Sequence, residues 1–232
     1  LATSLAQAIV GLEELFGPAG SEQELDDLAL EVLRELVQGK ATVRFTAQNA
    51  AEIQAVKRLA DTFQLRWMLV DPEDKEALTS IDWKKELAAG VILSPDFRPG
   101  QLTNPSIPIP GRKDPSRLWE LAAALVEAGA ADKIALRPAV DADLRHLMFV
   151  AATLKRGGLS AEQILKTLTS NAASLLGIAD RVGSLAVGHD ADFVVLSGEP
   201  FASGTRVVET YIDGKQVFSS ASAGSAVVIE AA

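Results

Sequence analysis

Residues 41–70, ATVRFTAQNAAEIQAVKRLADTFQLRWMLV, set the architecture. ATVRF, 41–45, is apolar with β-branched residues and reads as a strand. Residues 50–63 carry Ile53, Val56, Leu59 and Ala60 at helical spacing, so one face of a helix turns inward. LRWMLV, 65–70, is a second strand, apolar nearly throughout. A strand with no polar alternate positions has both faces covered, and a helix between two such strands makes them parallel.

The pattern continues outward. Upstream, residues 21–38 place Ser21 and Glu24 at capping-box spacing ahead of Leu25, Leu28, Val32 and Leu36, and Gly39 closes that helix. Downstream, Asp71-Pro72 opens a helix over 73–88, with Asp71 as its cap and Pro72 at its first position. GVILS, 90–94, is the third strand, followed by a long proline-rich loop. A helix over 115–129 leads to KIALR, 133–137, and helices over 142–156 and 160–176 follow. Four strands, each followed by helix, predict an α/β fold: half of an eight-unit (β/α) barrel or an open doubly wound sheet.

After residue 177 the texture changes. RVGSLAVGHDADFVVLSG and RVVETYIDGKQVF read as short strands, with Asp213-Gly214 as a hairpin turn and AVVIE as a possible last strand. A boundary near 178 divides an α/β body, 1–177, from a small all-β portion, 178–232.

Composition narrows the function classes. The 232 residues carry 22 Lys and Arg against 31 Asp and Glu, a formal charge of −9. That disfavours nucleic acid and anionic membrane surfaces as partners. Hydrophobic residues make up 48% of the chain, yet no apolar run is long enough to span a bilayer. With Cys at 0, disulfides, zinc-thiolate sites and thiol catalysis are excluded, but the compartment is not fixed. The two His, His146 and His189, cannot build a His-rich metal centre. His146 reads as a partly exposed helix residue and His189 as a surface-turn residue. The opening LATSLAQAIVGLEELFG lacks the basic stretch of a signal peptide, and a start at Leu suggests processing or a natural beginning further upstream.

The stretch from Leu165 to Phe218 resembles the C-terminal part of the amidohydrolase superfamily, and most of all its imidazolonepropionase-like branch. The similarity lies in TSNAASLLG (169–177), RVGSLAVGHDAD (181–192) and VVETYIDGK (207–215), and extends more weakly over 28–74. The resemblance implies the C-terminal half of a TIM-like (β/α)8 barrel plus the C-terminal share of a β-sandwich, the composite arrangement of metal-dependent hydrolases. It further implies a missing N-terminal half carrying an H-x-H metal motif, or another chain of the same protein, as partner, with an oligomer expected.

By the same resemblance, activity would be metal-assisted hydrolysis of non-peptide C–N bonds, with zinc or another divalent metal activating water. The family's later His ligands fall on Thr46 and Gln48, and a further His position on Asp71. The Asp that closes the last strand falls near Ala139, with Asp141 two residues beyond as a candidate for its role. Arg137, ending KIALR, would put a cation in the space of the metal. Thr and Gln are poor substitutes for imidazole on a transition metal. The pocket candidates are therefore Thr46, Gln48, Asp71, Arg137 and Asp141, with no metal or cofactor expected in this chain. The expectation is a pseudoenzyme or structural half with a decayed metal site. The alternatives are part of an active hydrolase whose other ligands come from an N-terminal half, and a free-standing α/β module that binds a small molecule.

Overall fold

In the computed structural model, the residues described are 35–36, 38–84, 88–94, 116–138 and 146–220. Strands β1 (Thr42–Thr46), β2 (Arg66–Val70), β3 (Ala88–Leu93) and β4 (Ile134–Leu136) form one four-stranded parallel sheet in sequence order. Helices α1 (Ala50–Phe63), α2 (Lys75–Thr79) and α3 (Ser116–Glu127) lie between successive strands. After β4 come α4 (Leu147–Thr153), α5 (Ala161–Leu168) and α6 (Ser170–Leu176). Strands β5 (Phe193–Leu196), β6 (Val207–Ile212) and β7 (Lys215–Ser219) form a separate antiparallel sheet. The expected α/β body and separate β portion are both present. No helix among the described residues is long and apolar enough to cross a membrane.

Period-two alternation, interrupted by a register shift at Ala89 between the Trp67–Ala88 and Met68–Gly90 pairs, divides the parallel sheet into two apolar clusters. On one face Trp67, Leu69, Val91, Leu93, Ile134 and Leu136 meet Ile53, Val56 and Leu59 of α1 and Leu121 and Leu125 of α3. On the other, Met68, Ala89, Ile92 and Ala135 are closed by Leu175 of α6. Gly90 is required where these layers meet: a Cβ there would stand 2.2 Å from the Lys133 carbonyl oxygen and 2.8 Å from Leu175. Asn171, buried in α6, donates from Nδ2 to the carbonyls of Ile134 (3.0 Å) and Ala131 (3.3 Å), fixing the entry to β4.

Helix α1 occupies the predicted range, capped by Asn49, whose side chain accepts from the Glu52 N–H. Other boundaries differ. The helix expected over 73–88 is only α2, and its cap is Asp74, not Asp71: Asp74 Oδ1 accepts from the Ala77 N–H at 2.8 Å and its Oδ2 from the Ala50 N–H at 3.1 Å. One carboxylate thus ties the start of α2 to the start of α1. The helix expected over 160–176 is two, broken at Thr169. There the hydroxyls of Thr167 and Thr169 bond back to the Ile164 and Leu165 carbonyls and compete with the helical ladder. Residues 142–145, the predicted start of the preceding helix, lie outside the described residues, as do most of 21–38 and the stretch AVVIE.

In the antiparallel sheet, Asp213 (φ 50°) and Gly214 (φ 71°) both take left-handed backbone, the signature of a two-residue hairpin turn. Phe193 and Tyr211, cross-strand partners, stack with ring centroids 4.5 Å apart. The portion touches the body through Phe201, packed on the larger cluster, and through Gly183, where a Cβ would come within 2.7 Å of Ala173.

Candidate functional site

Parallel strands present their C-terminal ends along one rim, and in (β/α) architectures that rim carries the chemistry. Here the ladder runs one residue past the strands. The Asp71 N–H donates to the Ile92 carbonyl at 2.9 Å, and the Arg137 N–H to the Leu93 carbonyl at 3.1 Å. Three consecutive strand ends therefore bring Asp71, Ser94 and Arg137 together.

Their side chains form one connected cluster. Asp71 Oδ1 accepts from the Ser94 N–H at 2.6 Å, Ser94 Oγ accepts from Arg137 Nε at 2.5 Å, and Arg137 Nη2 lies 3.5 Å from Asp71 Oδ2. Asp71 adopts φ 51°, a left-handed conformation that Asp tolerates better than most residues. That geometry, not a helix cap, is what its carboxylate serves. The Asp71 side chain is 17% exposed, whereas that of Arg137 is 55% exposed.

Thr46 and Gln48 do not join this cluster. Both are exposed, and the Gln48 backbone is engaged on each side: its N–H donates to Glu52 Oε2 at 2.7 Å and its carbonyl accepts from the Glu73 N–H at 3.0 Å. Asp141 lies outside the described residues. The structure therefore brings together Asp71 and Arg137 of the five candidates and adds Ser94, which the sequence reading passed over. The available signal was positional: Ser94 is the last residue of GVILS, the polar terminus of an apolar strand.

His146 is exposed ahead of α4, and His189 sits in a turn with Nδ1 3.2 Å from Ser184 Oγ. Among the described residues, no group of three or more His, Cys, Asp or Glu is arranged to hold a metal ion. At the described rim, the Asp71 carboxylate stands among hydrogen-bond donors. It accepts the Ser94 backbone N–H and lies beside the Arg137 guanidinium.

Residues 22–218 match the sequence profile of the amidohydrolase family. The chain belongs to that family. Over 74 residues it is 34% identical to the amidohydrolase tasK of Hapsidospora irregularis, a match covering 32% of this chain and 8% of that protein. The fold also matches the crystal structure of an amidohydrolase from Thermotoga maritima MSB8, with 30% identity and a TM-score of 0.65. That match covers 94% of this chain and 53% of the Thermotoga chain, so the family member described here spans about half the length of that relative. The imidazolonepropionase-like branch is not singled out by these matches.

Proposed function

We propose that this amidohydrolase-family chain is a metal-free segment, a pseudoenzyme or structural half, whose barrel is completed by an N-terminal half or by another chain of the same protein. The observation that carries this reading is the Asp71–Ser94–Arg137 cluster at the strand ends. Its contacts support the reading: Asp71 accepts from the Ser94 N–H and pairs with Arg137, and a guanidinium beside the carboxylate disfavours a second cation there. Thr46 and Gln48, at the positions where the family resemblance calls for imidazoles, offer weak oxygen donors only.

The test is elemental analysis of the purified chain after dialysis. The reading expects zinc, manganese and iron each well below one per chain; a stoichiometric metal that resists dialysis would overturn it. A second reading is favoured by the coverage of only 53% of the Thermotoga relative. On that reading the chain contributes to an active hydrolase of non-peptide C–N bonds, its ligands supplied by the other half. An H-x-H after an apolar strand immediately upstream, with metal uptake by the joined halves, would favour it over the first.

A further inference from the structure

We propose that Arg137, with Ser94 and Asp71, forms a binding site for a small carboxylate ligand at the C-terminal rim of β2, β3 and β4. This rests on the reading that the rim is metal-free. The guanidinium is a planar fork with five N–H donors. Ser94 Oγ fixes its Nε end. Asp71 meets Nη2 at 3.5 Å, an ion-pair separation too long for a good hydrogen bond. The Nη edge is therefore held in place yet only loosely satisfied, and the side chain is 55% exposed.

The anchoring is built rather than accidental. Ser94 is buried, and its backbone N–H is taken by Asp71, so the hydroxyl that orients Nε is carried on a fixed backbone. Asp71 is itself locked by its own N–H to Ile92 and by left-handed backbone. Much of the orienting of the fork is thus done before any ligand arrives, which lowers the cost of binding.

The class of ligand follows from charge and shape. A carboxylate matches the flat Nη edge bidentately. It also puts one single negative charge on the Nη edge in place of the long ion pair to Asp71. A dianionic phosphate would stand near Asp71 and suffer the larger repulsion. The site accordingly favours a monocarboxylate over phosphate, and Asp71 acts as an internal competitor for the fork.

That competition gives the test its sign. The full chain, labelled with nitrogen-15, is titrated with sodium acetate, N-acetylglycine and inorganic phosphate against a sodium chloride control of equal ionic strength. The readouts are the Arg137 Nε–H and Ser94 N–H resonances. We expect saturable shifts with both carboxylates and weaker ones with phosphate. Arg137→Gln should abolish them and Arg137→Lys weaken them, because the charge survives but the fork does not. Asp71→Asn should tighten acetate binding by roughly two- to five-fold, the range for release from an exposed ion pair. Since Asp71→Asn could disturb the strand-end turn, circular dichroism is recorded for each variant, and the two exposed Arg137 substitutions decide the matter alone if it unfolds.

Shifts that persist unchanged in Arg137→Gln, that appear equally with chloride, or that weaken in a folded Asp71→Asn would each overturn the proposal. Equal responses to acetate and N-acetylglycine assign recognition to the carboxylate by itself; a stronger N-acetylglycine response supports the site and adds the neighbouring amide. Metal content is measured on the same sample. A stoichiometric metal defeats the metal-free reading, whereas a metal-free chain with no carboxylate response defeats only this site.

Discussion

The two sheets use the same residue types to opposite effect. In β2 and β3, Trp67, Met68, Leu69, Val91 and Ile92 are buried, because helices close one face and α6 closes the other. In the antiparallel sheet, Val194 (52%), Val217 (57%) and Phe218 (43%) stay exposed. An apolar strand is thus no measure of burial by itself; what decides is whether another layer lies over it. The parallel sheet carries its own layers, while the antiparallel one presents apolar surface of the sort that marks an interaction face. Stability should therefore be concentrated in the first sheet, and each expectation below probes that asymmetry.

The largest effect belongs to the parallel sheet. Leu69, fully buried in β2, leaves a cavity when cut to Ala, and the expected loss is about 2–5 kcal/mol in chemical denaturation. The matching truncation Val194→Ala, on a half-exposed strand, should cost well under that, about 0.5 kcal/mol. Comparable losses at the two sites would erase the distinction between the sheets.

Next comes the hairpin. Gly214 sits at φ 71°, and a Cβ there would meet only Ala191 at 3.6 Å, an ordinary contact. The penalty of Gly214→Val is then conformational, about 1–3 kcal/mol. Because the turn belongs to the antiparallel sheet, the environment of Tyr211 should change before that of Trp67. A melting midpoint unchanged from the parent would mean that the turn contributes nothing. Within the body, Asn171→Ala removes the amide that donates to the buried Ile134 carbonyl and the part-buried Ala131 carbonyl at the entry to β4, and should cost about 1–3 kcal/mol. It should also broaden the Arg137 resonances at the far end of that strand; sharp, unshifted Arg137 signals would show that the entry does not position the rim.

The contrast also explains what could be read in the sequence. Helix α1 was legible because its signals are local: Asn49 caps it, and Ile53, Val56, Leu59 and Ala60 are all buried as their spacing requires. The choice between Asp71 and Asp74 was not legible. Both suit a cap in DPED, and the decision is tertiary, since Ser94, 23 residues on, claims one carboxylate and Ala50, 24 residues back, claims the other. The break at Thr169 was similarly hidden, because apolar periodicity runs through it while hydroxyl back-bonding interrupts the ladder. At the rim, the strand ends were visible but not their partnership. Arg137 and Asp71 could be named singly, whereas Ser94 becomes meaningful only when parallel pairing sets β3 between them.

The smallest effects are titrations, and here the chromophores divide conveniently. The single Tyr, Tyr211, lies in the antiparallel sheet, while Trp67, Trp83 and Trp119, the chain's 3 Trp, lie in the body. The Tyr211 hydroxyl donates to Glu209 Oε2 at 2.9 Å, and this bond holds the phenol above its usual pKa of 10.0. A raised phenol pKa favours the protonated form in the folded state. Its contribution is therefore complete below pH 10 and is lost as pH climbs through the raised value. Glu162 of α5 has the opposite sign: its hydrogen bond and ion pair with Lys166 lower its pKa below 4.5, so that contribution is present above that value and lost on acidification. Alkaline titration followed by near-ultraviolet difference absorbance should thus show Tyr211 ionising late. Glu209→Gln should bring the midpoint down, because the amide oxygen that can still accept from the phenol carries no charge. The wavelength of the tryptophan emission maximum should stay level through that transition if the sheets respond separately. An emission maximum that follows the Tyr211 curve would mean that the body responds together with the antiparallel sheet, and the division drawn from their burial would fail.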